Sequence, residues 1–313
     1  MTQRALFPGL EPEERPLGLA PPAPALLALA ARLPRGLRLG TSSWSFPGWR
    51  GLVWDRQASE QELARTGLAV YARHPLLGAV GVDRSYYQPL PAATYAGWAA
   101  AVPDGFRFLV KAWQGLTDPD SPGFLDPGLA AAEVVVPARE GLATRPFVLL
   151  FQLPPLDVRE LGGAARLIDR LQAVLAGLPP GSCYALEARS RALLGPPLAR
   201  ALRATGVVPC LSAHPSLPPL PEQAERLAEA LEAGPLVARW MLHRRHTYQG
   251  ARERYAPFDR LVDEDPDTRA ELSDLAHRAL RAGRQVLITV NNKAEGSSPL
   301  SVARLAEAIA ARS

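Results

Sequence analysis

Among 35 basic residues the chain has only two lysines, Lys111 and Lys293, and its only asparagines are Asn291 and Asn292. Where arginine supplies nearly all the positive charge, a retained lysine marks a place where a permanently charged guanidinium will not serve. Lys111 ends one apolar run, and the Asn291-Asn292-Lys293 triplet ends another. A desolvated lysine in such a place can work as a base with a shifted pKa or as a clamp for an anion. Glu187 is the acidic counterpart, able to accept a proton or hold a sugar hydroxyl. Asp83 and Glu187 are also the best carboxylate pair for glycosidase-like chemistry, which depends on a separation that sequence distance does not give.

Other polar residues close apolar runs in the same way. Thr41, Ser43 and Trp44 follow the first run, Asp83 and Tyr86 the second, and Gln152 closes the fourth. Glu187 and Arg189 end the fifth, Ser212 and His214 the sixth, and Arg239 and His243 the seventh. The expected catalytic residues are Lys111 and Glu187, with Lys111 and Arg239 neutralising anionic charge. Gln152, Asn291 and Asn292 are expected to orient polar groups, and Trp44 and Tyr86 to stack on a ring. Thr41, Ser43, Asp83, Arg189, His243 and Lys293 complete the expected ligand-binding set.

The runs themselves lie at 37–41, 79–83, 106–111, 147–152, 183–188, 207–212, 236–242 and 285–290. Amphipathic stretches alternate with them, such as Ala164, Ile168, Leu171, Leu175 and Leu178, or Leu272, Leu275, Ala276 and Ala279. Spacings of three and four place one apolar stripe on a helix, and short apolar runs suit strands buried on both faces. Eight such βα pairs predict an α/β fold, a single (β/α)8 TIM barrel over residues 36–313. The runner-up, a doubly wound open sheet, lacks a G-x-G-x-x-G after its first strand. In a barrel the chemistry sits where strands end, so all the residues above would share one face.

Composition limits the classes. The chain has 313 residues, 47% hydrophobic and 21% charged, which fits a folded globular protein. No run of about 18 apolar residues predicts a membrane span, and no secretory signal is visible, so a cytoplasmic protein is expected. Cys183 and Cys210 lie inside apolar runs and read as reduced core thiols. His74 and His277 are expected on covering helices, while His214, His243 and His246 fall near the strand ends without a metal-binding motif. No metal and no cofactor is expected, and neither a P-loop nor a Ser-His-Asp arrangement can be read. A net charge of +4 favours a phosphorylated or nucleic-acid ligand. The connection from His243 to Pro266, with Arg244, Arg245, Arg252, Arg254 and Arg260, is the longest in the predicted barrel and a candidate phosphate holder.

Gly40-Thr41-Ser42-Ser43-Trp44-Ser45-Phe46 with Trp49 and Gly51 resembles the opening of the YecE-like barrels, catalogued as a domain of unknown function. Phe106 to Lys111, Phe151-Gln152-Leu153-Pro154-Pro155, Tyr184 to Arg189, Arg239, and Val290-Asn291-Asn292 with Gly296 and Pro299 extend the resemblance over about residues 37–312. It implies a TIM barrel and a distant, fold-level relation to endonuclease IV-like enzymes, whose metal ligands are not recognisable here. Where the family often reads V-E-I-N-S-T-F-Y this chain has Val80-Gly81-Val82-Asp83-Arg84-Ser85-Tyr86-Tyr87, so no role of that glutamate carries over.

Residues 1–35 are rich in proline and predict a flexible, mostly extended tail. Within it Gln3-Arg4-Ala5-Leu6-Phe7 resembles the Q-x-x-L-F peptide that docks bacterial repair proteins on the sliding clamp. Leu6 and Phe7 would enter an apolar pocket while Gln3 fixes orientation. The functional expectation is a metal-independent enzyme acting on a phosphorylated or nucleic-acid-derived ligand. The alternative is a non-catalytic ligand- or nucleic-acid-binding module recruited through the tail.

Overall fold

A computed structural model describes residues 15–143 and 145–312 of the protein. Eight parallel strands close on themselves in chain order. They are β1 (Leu37–Thr41), β2 (Ala79–Val82), β3 (Arg107–Lys111), β4 (Phe147–Leu153), β5 (Cys183–Ala188), β6 (Val208–Ala213), β7 (Leu236–Trp240) and β8 (Val286–Val290). Each matches an expected run to within two residues. β2 stops at Val82 because Asp83 turns the chain into the short helix Arg84–Tyr87.

Inward side chains Ala79, Leu109, Val148, Leu150, Ala185, Val208, Cys210, Val237 and Leu287 fill the barrel as one cluster. The alternate, outward residues pack against the surrounding helices in a larger one. Burial on both faces is why the runs read as continuous apolar segments. Gly40 permits the β1–β2 approach, since a Cβ there would lie 1.9 Å from the Ala79 carbonyl oxygen. The second expected amphipathic stretch lies within the helix Pro266–Arg281, and the first within Ala164–Ala176 except for Leu178, which follows the Gly177 cap. No helix among the described residues is long and apolar enough to cross a membrane.

Two sequence expectations are corrected. The tail is not extended throughout: Pro24–Arg32 is a helix with Leu29 buried, and Arg32 donates to the Ala310 carbonyl. Proline at the first helical position removes a donor that has no partner anyway, and the Ala/Leu stretch after it favours helix. Gly18 and Arg15 are tied to Asp55, so the segment is held on the barrel from residue 15 onward. His74 lies in the turn after the helix Glu60–Tyr71 rather than on a covering helix, and its Nδ1 accepts from the Leu76 amide. The 243–266 connection contains a helix, Tyr248–Tyr255, capped by the Thr247 hydroxyl. Arg254 and His246 bind Asp263, and Arg244 binds Glu271, so these residues brace the connection itself.

Candidate functional site

Parallel register brings Gln152 beside Glu187, and Ser212, Arg239 and Thr289 side by side across β6, β7 and β8. All five lie at the carboxyl end of the barrel. Glu187, with no exposed surface, receives Arg239 Nη1 at 2.6 Å on one carboxylate oxygen and Arg189 Nε at 2.7 Å on the other. Gln152 Oε1 accepts from Arg239 Nη1 at 2.9 Å and from Arg189 Nη2 at 3.3 Å. Burial alone would raise the Glu187 pKa, but the two guanidiniums outweigh it and hold the carboxyl down to about 2. At neutral pH Glu187 is therefore an anion that orients the two arginines.

Lys111 Nζ lies 3.5 Å from Asp83 Oδ1, and Arg239 Nη2 lies 4.0 Å from the same oxygen. The ammonium also sits 3.6 Å above the centre of the Tyr86 ring. Desolvation drives the Lys111 pKa down to about 8, with Arg239 and Arg189 adding to the fall and Asp83 and Glu187 opposing it. A lysine in that range supplies neutral amine near physiological pH. His214 borders the same charges, its pKa lowered by burial and by Arg189, and its Nδ1 lies 2.8 Å from the Ser216 hydroxyl.

Three polar atoms of this layer have no partner among the described residues: Ser212 Oγ, Arg239 Nε and Thr289 Oγ1, each on a residue no more than 2% exposed. Buried polar groups are almost always satisfied, so adjacent orphans point to something that binds there. Ser43, Trp44, Asp83 and Arg84 line a cavity of about 130 Å³ at the same end. The larger groove, about 770 Å³, borders the opposite end of β7 at Leu236 and includes none of the expected residues.

A family model for proteins of unknown function, DUF72, matches residues 38–313. The chain belongs to the DUF72 family. Among solved structures it is similar to a DUF72 protein from Enterococcus faecalis V583, at 18% identity and a TM-score of 0.56, covering 87% of this chain and 95% of that one. A DUF72 protein from Thermotoga maritima MSB8 gives 16% identity and a TM-score of 0.53 over 87% of this chain and 97% of the other. At these identities the likeness concerns the fold. No curated protein matches.

Lys111, Asp83, Gln152, Glu187, Arg189 and Arg239 thus meet in this DUF72 barrel mouth, but other expected ligand residues have structural partners. Thr41 faces outward, its hydroxyl 2.8 Å from that of Tyr71 and 2.6 Å from the Ser43 carbonyl oxygen. Asn292 Oδ1 accepts from Trp49 Nε1 and from the amide and hydroxyl of Ser298, pinning the aromatic first loop to the helix Ser298–Ala310. Trp44 is buried, donates to the Leu63 carbonyl and packs edge-on to Trp98 at 5.8 Å. Tyr86 is half-buried, with Lys111 covering one face of its ring.

His243 is buried and accepts from the Arg245 amide, its ring 5.1 Å from that of His246. Among the described residues no group of three or more His, Cys, Asp or Glu side chains is arranged to hold a metal ion. Asn291 Oδ1 accepts from Lys293 Nζ at 3.2 Å, and that ammonium lies 4.3 Å above the ring centre of Tyr248. Gln3, Leu6 and Phe7, the expected clamp-binding residues, lie outside the described residues.

Thr289 joins the mouth without having been expected there. With Ser212, expected at its strand end, it supplies the orphan hydroxyls, and Tyr87 and Tyr248 are 68% and 62% exposed. The signal for Thr289 was present: it is the one polar residue inside Val286–Val290, in phase with inward Leu287. Replacing Asn292 with alanine is expected to cost about 1–3 kcal/mol, because three donors lose one acceptor. Urea denaturation measures the loss, and ligand affinity at the mouth should stay within about twofold, roughly 0.4 kcal/mol.

Proposed function

We propose that this DUF72 barrel, YecE-like in its sequence motifs, is an enzyme that binds a phosphorylated ligand at its carboxyl mouth and transforms it with its own side chains. The observation that carries the reading is the row of orphan donors, Ser212, Arg239 and Thr289, beside a mouth holding three cations, Lys111, Arg189 and Arg239, against two carboxylates, Asp83 and Glu187. An anionic oxygen group satisfies those donors and balances the charge. Arg239 and the hydroxyls hold the anion. Arg189, Gln152 and Glu187 fix Arg239, and Lys111 is the proton-transfer or nucleophilic group.

The test is thermal and chemical denaturation of the full chain with sugar phosphates, nucleotides and short DNA, in the wild type and in Thr289→Val and Lys111→Ala. A ligand at a hundredfold excess over its Kd is expected to stabilise the wild type by about 2.7 kcal/mol, with the gain much reduced in both variants. Stabilisation without any chemical change in the ligand would favour a binding module over an enzyme. No stabilisation across the panel would overturn the reading.

A further inference from the structure

We propose that Lys111 forms an imine with the carbonyl carbon of a small phosphorylated aldehyde or ketone, a sugar phosphate in its open-chain form, whose phosphate sits on Arg239, Ser212 and Thr289. The inference rests on the anion-binding reading above and names its substrate class.

The geometry supports it in three ways. The Lys111 amine is nearly buried, on a rigid strand end rather than a loop, so its position is held within the mouth. Lys111 and Arg239 border the same oxygen of Asp83, at 3.5 and 4.0 Å, so the amine and the anion holder sit within the reach of one small molecule. Asp83 is placed to move protons at Nζ. Tyr86, 3.6 Å below the ammonium, stabilises the cationic form by its π face and in the same way favours a protonated imine. Arginine at this position could hold an anion equally well, but only a lysine can become an imine, which explains one of two lysines in a chain that otherwise uses arginine. The lowered pKa described above adds neutral amine to this arrangement.

The Nζ lone pair attacks the carbonyl carbon, and the C=O π pair moves to oxygen. One amine proton passes through the Asp83 carboxylate to that oxygen, giving a neutral carbinolamine. The carbinolamine C–O bond then breaks, its oxygen leaves as water after taking a further proton, and nitrogen donates its pair to form the C=N bond as a protonated imine. Amine, carbonyl compound and one proton thus give iminium and one water, with no oxidant or reductant required.

The test exploits the lysine count. The full chain is incubated with dihydroxyacetone phosphate or ribose 5-phosphate, and in parallel with dihydroxyacetone or ribose, each in the presence of sodium cyanoborohydride. The intact mass and the peptide map are then read. The expected result is one adduct of the substrate mass less one oxygen atom, on Lys111, formed at least tenfold faster with the phosphorylated member of a pair. Lys293 and the amino terminus serve as internal controls. Lys111→Arg, which keeps the charge, and Lys111→Ala should both lose the adduct, while thermal stabilisation by the same phosphates should survive in Lys111→Arg. Labelling spread equally over Lys293 or the amino terminus overturns the proposal, as does labelling indifferent to phosphate. Stabilisation by the phosphates with no adduct on Lys111 overturns imine formation and leaves the anion site standing. Neither stabilisation nor adduct removes both.

Discussion

Glu187→Ala is expected to lower the unfolding free energy by about 3–5 kcal/mol at pH 7. The carboxylate is fully buried and is the shared partner of Arg239, itself only 2% exposed, and of Arg189. Removing it leaves two cations facing each other, with Gln152 Oε1 as the acceptor they still share. Much of the loss is the cost of an uncompensated buried guanidinium rather than the worth of the pair. Glu187→Gln keeps the shape and one acceptor and should lose less. Urea denaturation measures both, and a loss under about 1 kcal/mol for alanine would remove the ion pair as the organiser of the mouth.

The same pair has a signature in acid. The folded pKa of about 2 lies below the ordinary 4.5, so the group's stabilisation is present above 4.5 and drains as pH falls from there toward 2. Stability curves of wild type and Glu187→Ala should therefore converge over that window. A difference that stays constant from pH 5 to about 2.5 would contradict the linkage.

The second large effect concerns Lys111. On a phosphorylated substrate that the wild type turns over, both Lys111→Ala and Lys111→Arg are expected to reduce kcat/KM by about 100- to 10,000-fold, since a positioned proton-transfer or nucleophilic group contributes on that scale. Wild-type kcat/KM should rise with pH through about 8, as the amine sheds its proton, and then level off. Asp83, Glu187, Arg189 and Arg239 surround the amine, and Tyr86 lies beneath it, so a second ionisation from this cluster would show as a further break in the profile. The stability effect has the opposite sense to that of Glu187. A lysine pKa lowered from 10.5 to about 8 costs stability below pH 8, and the cost is relieved as pH rises from 8 to 10.5. The stability of Lys111→Met relative to wild type should accordingly decline over that interval. A variant that retained turnover would remove Lys111 from the chemistry.

Much of this architecture was legible in the residues. Short apolar runs bounded by turn signals and separated by amphipathic stretches have few ways to bury both strand faces, and a closed barrel is one that suits eight of them. The ends of those runs carried Lys111, Gln152, Glu187, Arg189 and Arg239, which the structure does bring together. The scarcity of lysine singles out Lys111 irrespective of its neighbours. Proline placement misled for residues 24–32, because proline at a helix start and proline in an extended tail look alike until the Ala/Leu stretch finds a surface to bury Leu29.

Roles within the mouth were decided by tertiary structure. Two threonines at strand ends show why. β1 pairs with β8 so that Gly40 stands beside Thr289, which turns the Thr289 hydroxyl into the barrel and the Thr41 hydroxyl out toward Tyr71. A side chain one residue further along a strand points to the opposite face, so the same residue type becomes a ligand donor or a structural bond according to register. The protonation of Glu187 and Lys111 was decided in the same way. Composition makes both residues chargeable, but two arginines keep the buried Glu187 an anion, while burial and the same two arginines loosen the proton of Lys111 against the pull of Asp83 and Glu187.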